Sequence, residues 1–293
     1  MRPTICCVGD LVVDIVVHLE SDPKRGTDTP ASIEHTRGGS AANVAIGVVA
    51  AGGDGRFVGQ VGNDLVGSML VDELTNAGVD HRVVRRGTSG TIVVLVDSEG
   101  ERSFLTDRAA AVHLASVPND VLDGVDLLHV PAYSLTSGAL AETTQRLIGE
   151  AVDRNVPVSL STSSVSLLAD YGRERFLDLV RIIEPHLIFA NRPEARFLLD
   201  THPWFRHSEA TVITNGGREA RFSQPDGTDV RLEPEPTTAT DTTGAGDAFT
   251  AGFLVSHLSG GSPLESLRSG HSLARHTLDT PGAALGSGNG DPA

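Results

Sequence analysis

Cysteine and aromatic residues are scarce in this sequence. The two cysteines, Cys6 and Cys7, are neighbours, and on a strand their side chains point to opposite faces, so we expect no disulfide between them. Free thiols are typical of a reducing compartment, which predicts a cytoplasmic location. Aromatic residues make up 4% of the 293 residues and all hydrophobic residues 39%, which predicts a soluble globular protein with an aliphatic core.

Positive charge is also in short supply. The sequence has 23 Lys and Arg against 38 Asp and Glu, a net charge of −15 at pH 7. This excess repels nucleic acids and anionic membrane surfaces, and no basic cluster offsets it, so we expect neither as a partner. No apolar run is long enough to span a bilayer. Asp10 and Asp14 interrupt the apolar start of the chain, so we expect a first strand there rather than a signal peptide.

Several common catalytic motifs are missing. The 11 histidines form no HExxH motif and there is no paired CxxC, so a zinc site is not predicted. No GxGxxG follows the first strand and GxxxxGK[ST] does not occur, which argues against a nicotinamide dehydrogenase and a P-loop NTPase. The GxSxG elbow of serine hydrolases is absent as well.

What the sequence does contain is a regular alternation of strand-like and helix-like segments. Runs such as TICCVGDLVVDIVVHL, VPVSLS and HLIFAN alternate with helical patterns such as SAANVAIGVVAAGG and ALAETTQRLIGEAVDRN. This order predicts an α/β fold, a doubly wound and mostly parallel sheet with helices on both faces. We expect a single domain over 1–285, followed by a flexible Gly-rich tail over 286–293.

One region breaks this alternation. Residues 90–107 contain two strand-like runs around the turn-forming Asp97-Ser98-Glu99-Gly100, which predicts a hairpin. Residues 15–36 also lack a helical pattern. We expect segments at about 15–36 and 88–108 to form a small β-sheet lid beside the α/β body. Its unpaired edges could join two copies of the chain in a homodimer.

The motif DTTGAGDAFTAGF at 241–253 predicts the chemistry. Gly244, Ala245 and Gly246 leave successive backbone amides unshielded at the start of a helix, the geometry that receives phosphate charge. Asp247 is next to them and can accept a proton from a hydroxyl that attacks the phosphate. The motif therefore predicts phosphoryl transfer to an alcohol, with helix capping and close packing as the purely structural alternative.

This motif and the segment GGSAANVAIGVVAAGGDGRFVGQVGNDLVG at 38–67 resemble the two signatures of the ribokinase-like (PfkB) sugar kinases, in the same order. The resemblance implies a ribokinase-like fold, ATP as phosphoryl donor with Mg²⁺, Asp247 as catalytic base and an anion hole at Gly244, Ala245 and Gly246. Asp241 and Thr243 match positions that help some members to bind an activating monovalent cation such as K⁺.

The resemblance also implies an acceptor site. Asp14 matches an aspartate that binds sugar hydroxyls, Gly38 and Gly39 let a sugar approach the backbone, and Asn43 offers an amide donor and acceptor. Arg108, after the hairpin, would suit a carboxylate or phosphate on the sugar if it faces the cleft. A solvated surface arginine is the alternative for Arg108.

The implied nucleotide site involves three further segments. NRPE at 191–194 resembles an N-x-x-E element in which Asn191 and Glu194 arrange Mg²⁺ and its waters, although a first-turn helix acid is the structural alternative for Glu194. TVITNGG and RSGHSLARHTLDTPGA resemble segments that contact ATP, through Thr214, Gly216 and His271 here. A helix-surface histidine is the alternative for His271.

The segment SLSTSSVSLL at 159–168 departs from the family pattern, because many members carry an Asp-Pro pair where this chain has hydroxyl residues. Its effect on activity is open at this point. The prediction is an ATP-dependent kinase that phosphorylates a hydroxyl of a small sugar or sugar acid. The alternatives are a nucleoside kinase of the same fold and a sugar-binding sensor with little catalysis.

Overall fold

The computed structural model describes residues 2–199, 207–236 and 244–279 of the chain. The strands are β1 Thr4–Val8, β2 Val12–Leu19, β3 Ala31–Gly38, β4 Asp54–Val61, β5 Asp80–Arg85, β6 Thr91–Val96, β7 Arg102–Asp107, β8 Leu127–Pro131, β9 Val158–Ser161, β10 Leu187–Asn191, β11 Ala210–Thr214, β12 Ala220–Ser223 and β13 Asp229–Leu232. The helices are α1 Ser40–Ala50, α2 Leu65–Asn76, α3 Gly138–Asp153, α4 Val165–Tyr171, α5 Arg173–Ile183, α6 Arg192–Leu198, α7 Ala245–Leu258 and α8 Pro263–Asp279.

The larger sheet has nine strands in the order β13-β12-β11-β10-β9-β8-β1-β4-β5. Its strands run parallel from β5 to β11, and β12 and β13 are antiparallel at one edge. The chain turns from one side of the sheet to the other at β1, which pairs with both β4 and β8. Ligands of such sheets bind beyond the carboxyl ends of the strands at this kind of switch point.

Alternating side chains of β1 enter two separate hydrophobic cores. Ile5 and Cys7 pack with α1, α2, α7 and α8, whereas Cys6 and Val8 pack with α3, α4 and α5. Both cysteines are buried and free. The sheet therefore has helices on both faces, and the predicted mostly parallel α/β fold is confirmed.

A separate four-stranded sheet has the order β3-β2-β6-β7. Its strands come from the two segments predicted for the lid. The first segment is longer than the predicted 15–36. β2 begins at Val12 and pairs there with Gly38, the last residue of β3. This register brings the first residues of β2 and the start of α1 together at the same edge of the main sheet.

Gly172, with a φ of 96°, separates α4 from α5. The predicted domain end at 285 and the tail at 286–293 lie outside the described residues. None of the helices in the described ranges has the length and apolar content needed to cross a bilayer.

Candidate active site

Asp247 lies in the first turn of α7. The helix starts after Gly244, which has a left-handed backbone with a φ of 74°, and within the described ranges no side chain caps its first amides. Backbone N–H groups at a helix start lack intrahelical acceptors, so those of Ala245 and Gly246 are available to an anion. Glycine permits this entry because a Cβ is disfavoured at such a φ.

Two side chains of α1 hold the Asp247 carboxylate. Ser40 Oγ donates to Oδ1 at 2.6 Å and Asn43 Nδ2 donates to Oδ2 at 3.1 Å. Burial raises the pKa of Asp247 from 3.8 to about 6, although these two hydrogen bonds and the nearby Arg37 lower it. At pH 7 the carboxylate is ionised, and its pKa is closer to 7 than that of an ordinary aspartate, which makes it a stronger base.

A cavity of about 230 Å³ opens beside Asp247, between α7 and the carboxyl ends of the central strands. Most of the residues that line it are polar, and the lining includes Ser40, Tyr133, Asn191, Glu194, Thr214 and Gly246. A second cavity of about 280 Å³ shares Thr214 and Gly246 with the first. The two cavities therefore meet at the start of α7.

The second cavity is more apolar than the first. It is lined by Gly216, Phe249, His271 and Leu278 among others. The His271 ring packs edge-on against Phe249, with 5.1 Å between ring centroids, and its Nε2 donates to the Leu232 carbonyl at 3.1 Å. Burial lowers the pKa of His271, so the ring is neutral at pH 7. A Cβ added to Gly216 would meet no atom within 4 Å, so the space beside it is open.

Asn191 and Glu194 form a reciprocal cap at the start of α6. Asn191 Oδ1 accepts from the Glu194 amide at 2.9 Å, and Glu194 Oε2 accepts from the Asn191 amide at 2.9 Å. Asn191 Nδ2 also donates to Glu194 Oε1 at 2.6 Å, and Thr162 Oγ1 donates to Oε2 at 2.5 Å. Both carboxylate oxygens of Glu194 therefore accept hydrogen bonds. Glu194 caps the start of α6 and also lines the first cavity.

The hydroxyl-rich segment at 159–168 contributes to this site. Thr162 is buried and holds Glu194, while Ser161 and Ser163 line the first cavity. Behind them the fully buried His129 contacts Ser159 at 2.8 Å through Nδ1, and burial lowers its pKa to about 3. The hydroxyl residues therefore build the wall of the cavity without any added charge.

Asp14, Gly38 and Gly39 meet where the small sheet joins the body. A Cβ on Gly38 would lie 2.2 Å from Asp14 Oδ1, and one on Gly39 would lie 2.2 Å from the Asp10 carbonyl oxygen. Burial raises the pKa of Asp14 to about 6, against the charge of Arg37. Both glycines thus permit a close approach of chain segments, and Gly38 leaves room for the Asp14 carboxylate.

Arg108 has a partner within the protein. Its Nε donates to Asp10 Oδ2 at 2.5 Å, its Nη2 pairs with the same oxygen, and Nη2 also donates to the Tyr133 carbonyl at 3.1 Å. The guanidinium lies 5.5 Å from the centroid of the Tyr133 ring. Arg108 therefore lies next to a residue that lines the first cavity, but its charge is balanced by Asp10.

The whole arrangement agrees with one family model. The model for the pfkB family carbohydrate kinases matches residues 2–288. The chain belongs to the pfkB family of carbohydrate kinases. The predicted family and the predicted phosphotransferase class are therefore confirmed.

Two relatives of this pfkB kinase are similar over most of its length. A fructokinase of Klebsiella pneumoniae is 29% identical over 278 residues, which cover 90% of this chain and 87% of the relative. An uncharacterized sugar kinase of Archaeoglobus fulgidus is 29% identical over 243 residues, which cover 78% of this chain and 93% of the relative.

Solved structures share the fold of the pfkB kinase. An adenosine kinase from Sinorhizobium meliloti aligns with a TM-score of 0.83 at 23% identity, covering 98% of both chains. A putative ribokinase II from E. coli in complex with ATP and Mg²⁺ aligns with a TM-score of 0.82 at 18% identity, covering 98% of this chain and 96% of that one. The predicted ribokinase-like fold is confirmed, and proteins of this fold are crystallised with ATP and Mg²⁺.

Several residues of the pfkB kinase site were not identified from the sequence. Ser40 has a signal in the sequence, because it lies three residues before Asn43 and so shares its helix face. Asp10 and Thr162 have none, since their partners Arg108 and Glu194 are distant in sequence. Arg37 is only six residues from Asn43, but their contact depends on how β3 meets α1. Asp241 and Thr243, predicted for a monovalent cation, lie outside the described residues.

Proposed function

We propose that the protein transfers the γ-phosphoryl group of ATP to a hydroxyl of a small neutral sugar, with Asp247 as the general base. The observation that carries this proposal is the position of the Asp247 carboxylate. It stands at the uncapped start of α7, borders the cavity with Gly246, and is held by Ser40 and Asn43 from the other signature. A base and an anion-binding helix start adjacent to one cavity are what phosphoryl transfer requires.

ATP fits the second cavity, with its phosphates toward the first. The apolar lining by Phe249 and Leu278 suits a planar base, while the open space beside Gly216 and Gly246 leaves room for phosphates near the α7 amides. Thr214 borders both cavities and is proposed to contact the phosphates. His271 contributes a neutral ring edge rather than a charge.

Mg²⁺ fits this polar region through water. Within the described ranges no three His, Cys, Asp or Glu side chains come together as a set of ligands. Glu194 has all its oxygens hydrogen-bonded, which suits a residue that orders the waters of an ion also bound by phosphate, as Mg²⁺ prefers. Asn191 and Glu194 would hold the ion in this way. When bound, Mg²⁺ supplies positive charge that offsets the phosphate charge.

The residues of the chain then have distinct tasks in the transfer. Asp247 accepts the proton as the acceptor O–H bond breaks, the acceptor oxygen forms the new bond to phosphorus, and ADP leaves with the electrons of the broken P–O bond. The amides of Ala245 and Gly246 stabilise negative charge on the transferred group. Asp14, with Gly38 and Gly39 beside it, is proposed to bind the sugar hydroxyls.

The charges near the proposed acceptor site favour a neutral sugar over a sugar acid. Arg108 is the cation that an acidic substituent would need, but Asp10 already neutralises it. The carboxylates of Asp14 and Asp247 add negative charge nearby. An anionic acceptor would have to displace Asp10 from Arg108, which costs the energy of a partly buried ion pair. Arg108 is therefore proposed to position Asp10 at the acceptor site.

The acceptor is tested by ADP release from purified protein with ATP and Mg²⁺. Pentoses and hexoses are compared with their aldonic acids, their phosphates and a set of nucleosides. We expect a neutral sugar to have the highest kcat/KM, and its acid to react at least about tenfold more slowly because of charge repulsion. Preferential turnover of an acid or a nucleoside would contradict the neutral acceptor. Binding detected by a raised Tm, without ADP release from any compound, would favour the sensor.

We propose that the small sheet is a lid over the acceptor and also a dimer interface. Its edge strand β7 exposes Phe104 and Leu105 by 61% and 59%, and Ile33 on the opposite edge strand is 56% exposed. An unpaired edge with apolar side chains is suited to pairing with a second copy. A lid also excludes water, which is a competing acceptor.

Substituting Phe104→Glu tests the dimer. We expect wild-type protein to sediment as a dimer and the variant to shift toward monomer, because the charge would be buried between two sheet edges. Leu65→Glu is the matched control, since Leu65 is 88% exposed but lies on α2. A monomeric wild type, or equal effects of both variants, would contradict an interface at the lid.

Two further assignments stay predictions from the sequence. A K⁺ site at Asp241 and Thr243 cannot be placed among the described residues. A cytoplasmic location is proposed because Cys6 and Cys7 are free and buried, which fits a reducing compartment.

A further inference from the structure

Arg37 is a buried cation at the proposed active site that the mechanism above does not use. It lies at the end of β3, one residue before Gly38, and is 8% exposed. A buried guanidinium is costly unless anions and hydrogen-bond acceptors surround it. The burial of Arg37 therefore depends on the groups that it contacts.

Arg37 and Asp247 together fix which way the Asn43 amide points. Arg37 Nη2 donates to Asn43 Oδ1 at 3.2 Å, so the opposite end of the amide, Nδ2, is left to donate to Asp247 Oδ2 at 3.1 Å. An arginine can only donate, so it selects the oxygen of the amide. Asp247, which can only accept, selects the same orientation from the other end, so without Arg37 the Asn43 oxygen would lose this donor and the amide would be held from one side only.

Arg37 is also the cation shared by the site carboxylates. Its charge acts on Asp247 from α7 and Asp14 from β2, and it forms an ion pair with Glu73 of α2, at 3.3 Å from Nη1 to Oε2. The other titratable group that interacts with Asp247 among the described residues is the Cys7 thiol of β1, whose pKa is raised by burial, so that it stays neutral. The positive charge of Arg37 lowers the pKa of both carboxylates, against the increase that burial causes.

We propose that Arg37 is a positioning residue for the phosphoryl transfer, which orients the Asn43 amide toward Asp247 and keeps that carboxylate ionised as a base. This proposal rests on the proposed role of Asp247. Arg37 directly precedes Gly38 and Gly39 of the first signature, and its position in the sequence does not reveal this electrostatic role. Glu73, on the outer side of Arg37, is the counter-ion that reduces this effect.

The test is the pH dependence of kcat and kcat/KM for Arg37→Met and Arg37→Lys. Removing the charge in Arg37→Met should raise the acid-limb midpoint by roughly one pH unit, since a nearby opposite charge shifts a carboxylate by about that much. The rate should therefore fall more at pH 6 than at pH 8. Arg37→Lys keeps the charge and should stay close to the wild-type midpoint, with a lower kcat because lysine lacks the planar fork.

Glu73→Gln is the matched control, since it removes the other half of the same ion pair. It leaves Arg37 without its outer counter-ion, so the midpoint should move downward, opposite to Arg37→Met. A purely structural role of the pair would lower activity and Tm in both variants without moving either midpoint. If Arg37→Met does not fold, Glu73→Gln and Arg37→Lys still decide: a midpoint that is unchanged or raised in Glu73→Gln overturns the proposal.

Asp247→Asn separates this proposal from the proposed function. If that variant turns over sugar at the wild-type rate, Asp247 is not the base and the proposed mechanism fails. If Asp247→Asn is inactive while Arg37→Met retains the wild-type acid-limb midpoints of kcat and kcat/KM, the mechanism stands and the role of Arg37 is refuted.

Discussion

Asp247→Asn is expected to lower kcat by roughly 10² to 10⁴, the range typical of losing a general base. Asparagine keeps the size of the side chain and can still face Ser40 and Asn43, but it cannot take the proton of the acceptor hydroxyl. The KM for ATP should change little, because the α7 amides and the second cavity are intact. Steady-state ADP release and ATP binding by calorimetry would measure the two effects separately.

Glu265→Gln is the matched control for this substitution. Glu265 is also an acidic residue in a first helical turn, that of α8, where it accepts hydrogen bonds from Ser262 instead of bordering the cavity. Its variant should retain wild-type kcat. A kcat for Asp247→Asn within a factor of about ten of wild type would contradict the role of base.

The same carboxylate predicts how stability depends on pH. The pKa of Asp247 is raised from 3.8 to about 6 in the folded state, chiefly by burial, so the folded protein binds the proton more tightly than the unfolded chain. This group therefore contributes stability at pH below 3.8 that is lost as the pH rises through about 6. Asp247→Asn should therefore show a smaller decrease in Tm between acid and neutral pH than the wild type. Part of the decrease should remain, because burial also raises the pKa of Asp14 to about 6.

Gly39→Ala is expected to destabilise the protein by more than about 3 kcal/mol and to abolish activity. Gly39 has a φ of 107°, where an L-residue is strained, and its Cβ would lie 2.2 Å from the Asp10 carbonyl oxygen. Either the start of α1 or the segment between β1 and β2 must move. Because Ser40 and Asn43 follow directly, their contacts with Asp247 would be lost as well. Urea unfolding and ADP release measure the two losses.

Gly52→Ala is the matched control, because it introduces the backbone strain of a positive φ without a steric clash. Gly52 also has a positive φ, 89°, but a Cβ there would meet no atom within 4 Å. Its cost should be only about 1 to 2 kcal/mol, the penalty of the left-handed region alone, with kcat unchanged. If Gly39→Ala cost no more than Gly52→Ala, the close approach to Asp10 would have no energetic consequence.

The fold class followed from local patterns. Alternating strand and helix segments and the helix-free hairpin at 90–107 correctly indicated a mostly parallel sheet with a second small sheet, because side-chain periodicity reports which face of an element is buried. The boundaries were less accurate. β2 begins at Val12 because its pairing with Gly38 is a tertiary contact that no local pattern encodes.

The candidate site was predicted unevenly for the same reason. Asp247 and Asn43 belong to compact motifs, and the structure brings them into direct contact. Arg108 was a candidate for binding a carboxylate or phosphate on the sugar, with a solvated surface arginine as the alternative. The structure shows it hydrogen-bonded to Asp10, 98 residues away in the chain. The hydroxyl residues at 159–168 depart from the family pattern, and their role depends on a tertiary contact, since Thr162 donates to Glu194, 32 residues away.

The sequence by itself predicted the kind of chemistry, because a glycine-rich helix start and a carboxylate next to it are local features of one short segment. It also determined the α/β architecture, a sheet with helices on both faces, through hydrophobic periodicity. Only the tertiary structure decided the charge state and orientation of the site: which anion neutralises Arg108, which way the Asn43 amide points, and how far burial raises the pKa of Asp247. These properties depend on desolvation and on contacts between distant segments, and neither exists until the chain has folded.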